Sequence, residues 1–221
     1  MYRISIAVIV IASVFSTMGC SRRGQDANEW FTTPGHVLEY EAVKGTVIRS
    51  KSIVTYTIGK FNGVRCIKAT RTDNMMPVAL NMYYSMDGGE VNWLGIDADE
   101  QEGLECPREK NVYSMAFKPF VPLFTAQPKV GDCRKGSIVT FVVGENAVEV
   151  SAVEARVECM ESVSVPAGTY ECLKVVLEMR EARGSRSVET MTFWFAKGIG
   201  IVKSIMFVGE EQEILMLTSY R

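Results

Sequence analysis

The 221-residue chain is poor in the groups on which most enzymes depend: it has one histidine, His36, and its six cysteines form no Cys-x-x-Cys pair. A zinc site of ordinary spacing therefore lacks ligands, and every Ser-His-Asp scheme would rest on a residue set in a Pro34-Gly35-His36 turn. No Gly-x-Ser-x-Gly elbow, Walker loop or Ser-x-x-Lys motif is present. Gly198-Ile199-Gly200 lacks the third glycine and the following helix of a dinucleotide fingerprint. Carboxylates are plentiful, but separation in space, not sequence, defines a glycosidase pair. The expectation is a protein that is not an enzyme and needs no cofactor or metal. Charge of one sign is also lacking, with 24 Lys+Arg against 26 Asp+Glu and a net charge of -2, so nucleic acid is not an expected partner. An apolar content of 47% excludes disorder.

A long apolar run is missing too. The one stretch able to approach a membrane is Ile4 to Phe15, too short to span and preceded by Arg3. A basic start, a short apolar core and small residues beyond it describe a secretory signal. Gly19-Cys20 then resembles a bacterial lipoprotein signal, in which a small residue precedes the cysteine that becomes the lipidated N-terminus; Thr17 stands where an aliphatic residue is usual. The alternative is an ordinary cleaved signal with Cys20 incidental. The resemblance implies residues 1–19 as signal peptide, 20–29 as polar tether and 30–221 as a single β domain. Loss of Arg3 with the signal takes the net charge from -2 to -3. Several acyl chains on Cys20 would make release from a membrane negligible. Ser21, rather than Asp, beside the cysteine implies sorting to the outer membrane, with the protein facing the periplasm or the surface.

Setting Cys20 aside leaves Cys66, Cys106, Cys133, Cys159 and Cys172, an odd number for an oxidising compartment. Cys106–Cys133 would tie down a loop and Cys159–Cys172 would bridge neighbouring strands, although sequence does not fix connectivity. The other assignment for Cys66 and Cys172, each in an apolar strand-like run, is a buried free thiol.

No amphipathic helix of three turns appears. Leu173, Val175, Leu177 and Met179 recur at every second place, and Met191, Phe193 and Phe195 alternate with Thr190, Thr192 and Trp194, which is the period of a strand with one buried face. Asp87-Gly88 marks a hairpin between Tyr83-Tyr84 and Val91-Trp93. The pattern predicts an all-β domain of about ten to twelve antiparallel strands, forming one curved sheet as a half-barrel, barrel or sandwich. Two segments break the rhythm. Asp97 to Glu105 gathers five carboxylates and reads as a solvated excursion; as a calcium loop it fails the EF-hand pattern, with Glu102 in place of Gly and Arg108 in place of Glu. The other, Phe117 to Phe124, holds two prolines that argue against a central strand. Its three phenylalanines, Phe117, Phe120 and Phe124, are a candidate apolar lid or partner-contact loop, or else a crossover packed onto the sheet.

Four stretches resemble a broad group of uncharacterised bacterial exported proteins and lipoproteins. They are Trp30 to Tyr40 with its Pro34-Gly35 turn, Lys129-Val130-Gly131-Asp132, Val165 to Cys172 around Pro166-Ala167-Gly168, and Trp194 to Lys203 around Gly198-Ile199-Gly200. Leu38 and Arg134 stand where members often carry Trp. A more distant similarity, to lipoprotein carriers of the Lol type, implies a concave face that holds acyl chains. Together these imply a noncatalytic, lipid-anchored envelope protein binding an apolar ligand or an envelope protein, or a scaffolding lipoprotein with no small ligand. Physically the same motifs look like fold determinants: Pro166 presets a turn, Gly168 supplies a positive φ, and Tyr170 can return across the hairpin.

Overall fold

The computed structural model describes residues 28–44, 47–75, 78–100, 113–136, 139–143, 146–181, 188–208 and 211–221. Among these there are thirteen strands and no helix. The first six are β1 (Val37–Lys44), β2 (Val47–Phe61), β3 (Val64–Asp73), β4 (Val78–Asp87), β5 (Glu90–Glu100) and β6 (Tyr113–Phe124). Then come β7 (Cys133–Gly136), β8 (Val139–Val143), β9 (Asn146–Val165), β10 (Gly168–Glu181), β11 (Val188–Ala196), β12 (Gly200–Val208) and β13 (Glu211–Tyr220).

Apart from β7, which pairs with β9 while β6 pairs with β8, each strand pairs antiparallel with its neighbours in sequence, and the ring closes where β1 pairs with β13 through Leu38↔Tyr220 to Val43↔Ile214. β7 and β8 follow one another along the same edge of β9, through Cys133↔Arg156 and Val139↔Val150, so they share one place in the ring. The expected curved sheet is thus an up-and-down barrel. Closure satisfies the edge groups that an open sheet would leave unpaired.

Period-two patterning decides which side chains face inward. Leu173, Val175, Leu177 and Met179 are all buried in the barrel, as their alternation predicts. Full burial of one such side chain stabilises by roughly 1.5–3 kcal/mol.

Pro166 and Ala167 form the turn between β9 and β10, and Tyr170, opposite Val163, donates its hydroxyl hydrogen to the Ala167 carbonyl at 3.0 Å. The β4–β5 turn consists of Gly88 and Gly89, one residue beyond the expected Asp87-Gly88, because Asp87 still pairs with Glu90.

Two segments differ from expectation. Asp97, Asp99 and Glu100 belong to β5 rather than to an excursion, while residues 101–105 lie outside the described residues. Phe117 to Phe124 is the second part of β6, a strand inside the ring and not a loop. Its prolines are tolerated for two reasons. Pro119 falls in a bulge, since Trp93 pairs with Val121 but Gly95 already pairs with Ala116. Pro122 pairs with Asn92 on one side, and among the described residues the ladder on its other side stops at Phe117↔Val139. A missing N–H costs little where no ladder bond is made.

The chain before β1 closes one end of the barrel. The Asn28 amide donates to the carbonyls of Gly89 at 2.6 Å and Thr125 at 3.1 Å, and its side-chain oxygen accepts from the Trp30 N–H. Gly198 N–H donates to the Glu29 carbonyl at 2.7 Å, and Lys197 pairs with Glu29 while lying over the Trp30 ring. Phe31 then enters the interior. Its ring centroid lies 4.9 Å from Tyr84, 6.2 Å from Tyr56 and 6.4 Å from Phe195. Asn28 and Glu29, assigned by sequence to the tether, are therefore part of the fold. Gly200 marks the close approach: at φ +95° its added Cβ would meet Thr32 at 3.2 Å. Gly200→Ala should cost about 2 kcal/mol, since the left-handed region alone costs an L-residue roughly 1–2 kcal/mol. Urea unfolding measures this, and an unchanged midpoint would show that Gly200 does not hold this positive φ.

Candidate functional site

Above the Phe31 plug the barrel retains a cavity of about 140 Å³, whose lining includes Tyr40, Tyr56, Arg71, Tyr84, Met82, Met191, Phe193, Met206 and Leu215. The strands that place these groups present alternate residues inward, so Tyr40 and Tyr56 arrive on β1 and β2, Arg71 on β3, and Met191 and Phe193 on β11. The wall is almost wholly apolar. Tyr40 donates to the Ile201 carbonyl at 2.6 Å, which spends its hydroxyl hydrogen on backbone. Burial raises the pKa values of Tyr40, Tyr56 and Tyr84 above the usual phenol value, so all three stay neutral at neutral pH.

Towards the opposite end from the plug the lining turns polar. On β3 the inward positions read Ile67, Ala69, Arg71, Asp73, and Ser50 and Ser52 at the start of β2 lie alongside. Arg71 Nε donates to Ser52 Oγ at 3.1 Å, and its Nη2 lies 3.2 Å from both Asp73 Oδ2 and Glu213 Oε1. Ser50 and Ser52 donate to Asp73 Oδ2 at 2.7 and 2.8 Å, and Met75 N–H donates to Oδ1 at 2.9 Å. Burial pushes the Asp73 carboxyl up, but the Met75 N–H, the two serines and Arg71 outweigh it and hold its pKa below the usual value. The group is therefore an ionised, hydrogen-bonded carboxylate beside an apolar space.

The residues selected from sequence fall elsewhere. Phe124 packs in the core, 4.8 Å from the Phe195 ring, whereas Phe120 is 41% exposed and lines a groove of about 420 Å³ on the outer wall with Val64, Cys66 and Leu94. The Phe117 side chain lies outside the described residues. The three phenylalanines thus do not form one contact loop, because Phe120 and Phe124 face opposite sides of β6.

Cys159 and Cys172 sit on paired strands but two places out of register, Cys159 facing Lys174 and Cys172 facing Glu161, and both are free thiols. The expected cross-strand bridge is not formed. Cys133 is also free and donates to Glu154 Oε1 at 3.2 Å, so it does not close a loop with Cys106, which lies outside the described residues, as does Cys20. Cys66 and Cys172 are the buried thiols of the other assignment, and burial pushes the Cys172 pKa up to about 11.

His36 is occupied in its turn by Thr32 and Thr33. Asp97 accepts from Asn81 and Tyr83, and Asp99 from Asn81 and Lys68. Among the described residues no three His, Cys, Asp or Glu side chains group closely enough to hold a metal ion. Leu38 is a core residue and Arg134 an outward partner of Glu90.

Sequence reasoning missed the Arg71 cluster. The available signal was charge at inward positions of β3, where Arg71 and Asp73 continue the buried series of Ile67 and Ala69.

Residues 129–212 match a family model described as DUF3108-like, a segment that contains the Val130-Gly131-Asp132, Val165 to Cys172 and Trp194 to Lys203 stretches. No curated protein matches the chain by sequence. Two solved structures resemble it. One, from Bacteroides fragilis, is of a protein classed as exported with a YmcC-like fold; it is 13% identical, with a TM-score of 0.51, covering 88% of this chain and 99% of that one. The other, from Parabacteroides distasonis, is of a protein classed as a lipoprotein; it is 15% identical, with a TM-score of 0.48, covering 89% of this chain and 100% of that one. At 13% identity the likeness to the Bacteroides fragilis protein is one of fold alone.

Proposed function

We propose that the protein is a noncatalytic lipoprotein of the bacterial envelope, anchored through Cys20 in the outer membrane, that binds a small apolar group or the end of a hydrocarbon chain inside its barrel. The observation that carries this reading is the apolar cavity of about 140 Å³. An apolar cavity of about 150 Å³ is large enough for one benzene, and drug-sized ligands need about 300 Å³ or more. The ligand is therefore a ring or a short chain segment, not a set of whole acyl chains as in the Lol-type comparison. Met82, Met191 and Met206 line the space, and unbranched thioethers repack to enlarge it more readily than β-branched residues do. The export of the Bacteroides fragilis protein of similar fold agrees with the signal-like residues 1–19.

Native mass spectrometry of the protein isolated from envelopes with Cys20→Ala should show a bound hydrocarbon, and small apolar ligands should raise its melting temperature. A clean unliganded mass with no thermal gain would exclude ligand binding. The second reading, a scaffolding lipoprotein that binds an envelope protein, would then stand. It is favoured by how fully Phe31, Phe124, Phe195 and Leu217 fill the rest of the barrel. Anchoring is tested separately by fatty-acid labelling, which Cys20→Ala must abolish.

A further inference from the structure

A guanidinium at the edge of an apolar cavity would ordinarily read as a receptor for a carboxylate or phosphate head. The surroundings of Arg71 argue against that here. Its one positive charge faces two negative ones, Asp73 and Glu213, each 3.2 Å from Nη2, and its Nε is spent on Ser52. The Asp73 side chain is only 3% exposed, so an anion that drew Arg71 away would strand a buried carboxylate. Glu213, 31% exposed, is the more accessible acceptor of the pair, and Ser204 adds a buried hydroxyl to the cavity lining.

We infer that the polar edge of the cavity selects ligands by charge, admitting hydrocarbon chains that end in a hydroxyl or ammonium group and rejecting those that end in a carboxylate, sulfonate or phosphate. This deepens, and rests on, the reading of the cavity as a ligand site. Asp73 is the specificity-determining residue. It engages Arg71 Nη2, and with Glu213 it leaves the cluster net negative towards an incoming anion. The ligand class is a single-chain amphiphile with a neutral or cationic head, whose tail lies among the methionines.

The test uses the chain from residue 20 with Cys20→Ala, labelled with ¹³C at its methionine methyl groups. Hexan-1-ol, hexylammonium and hexanoate are titrated at neutral pH and constant ionic strength, while the methyl signals of Met82, Met191 and Met206 are followed. The alcohol and the ammonium should shift these signals, and hexanoate should bind at least tenfold more weakly. Asp73→Asn, which removes the buried charge, should raise hexanoate affinity at least tenfold relative to that of hexanol. Glu213→Gln should act in the same direction with a smaller gain, and it supplies the comparison if Asp73→Asn does not fold. Hexanoate binding the unsubstituted site as tightly as hexanol would overturn charge selection while leaving the ligand site intact. So would hexanoate affinity left unchanged by the substitutions. If none of the three compounds moves these methyl signals, the ligand-site reading itself falls, and charge selection falls with it.

Discussion

Phe31→Ala should lower the stability of the barrel by about 3–5 kcal/mol, the range for deleting a buried phenylalanine ring. The size of this effect comes from position. Phe31 is 3% exposed, belongs to no strand, and is held among Tyr56, Tyr84 and Phe195 by the anchors of its neighbours Asn28 and Glu29. Deleting the ring would extend the existing cavity towards the plugged end instead of letting the surroundings collapse, because the barrel walls are fixed by their ladders. For a domain of this size about 2–4 °C accompany each kcal/mol, so the melting temperature should fall by about 10 °C. Val64→Ala, at a position that is 51% exposed, should change it little. A loss below about 1 kcal/mol for Phe31→Ala would show that the segment before β1 does not seat in the barrel.

The second large effect is expected at Arg71. Arg71→Leu should cost about 3 kcal/mol at neutral pH, because it removes the cation of a buried pair and leaves the Asp73 charge with only its hydrogen bonds from Ser50, Ser52 and Met75. The sign of the pH dependence follows from Asp73, whose carboxyl is held below its usual pKa in the folded protein. In the native barrel its contribution is fully present above the unfolded carboxylate value of about 3.9, and it is lost as pH falls through the lower folded value. In Arg71→Leu the folded value rises, so protonation of Asp73 relieves the penalty, and the stability gap to the native protein should narrow as the solution becomes acidic. Urea unfolding at neutral pH and near pH 4 measures both. A gap that stays constant would mean that Asp73 is not the group carrying the cost.

The strands were legible in the sequence because one buried face forces a period of two. Leu173, Val175, Leu177 and Met179 lie buried where the pattern puts them, as do Phe193 and Phe195, although Trp194 between them is buried as well. Closure was not legible: a half-barrel, a barrel and a sandwich share the same alternation, and the pairing of β1 with β13 is specified only when the strands meet. The prolines of β6 misled for a related reason. Whether a missing N–H matters depends on which neighbour would have accepted it, and that is a property of the ring. The cysteines illustrate register in the same way. Cys159 and Cys172 lie on paired strands, yet an offset of two places decides that they stay apart. Arg71 and Asp73 were passed over because charge on an inward position contradicts the binary pattern, and such a contradiction is itself the mark of a buried polar network.

The closing ladder between β1 and β13 also bears on how the chain reaches its native state. Leu38 pairs with Tyr220 and Val37 exchanges two backbone hydrogen bonds with Arg221, so β13 and the residue after it staple β1. Polypeptides emerge from synthesis N-terminus first, and domains dominated by distant pairings fold on the millisecond-to-second scale. Every shorter nascent form therefore carries two open edges, on β1 and on its last completed strand, each able to recruit another chain. A chaperone that shields strand edges has its window of action before β13, Glu211 to Tyr220, is released.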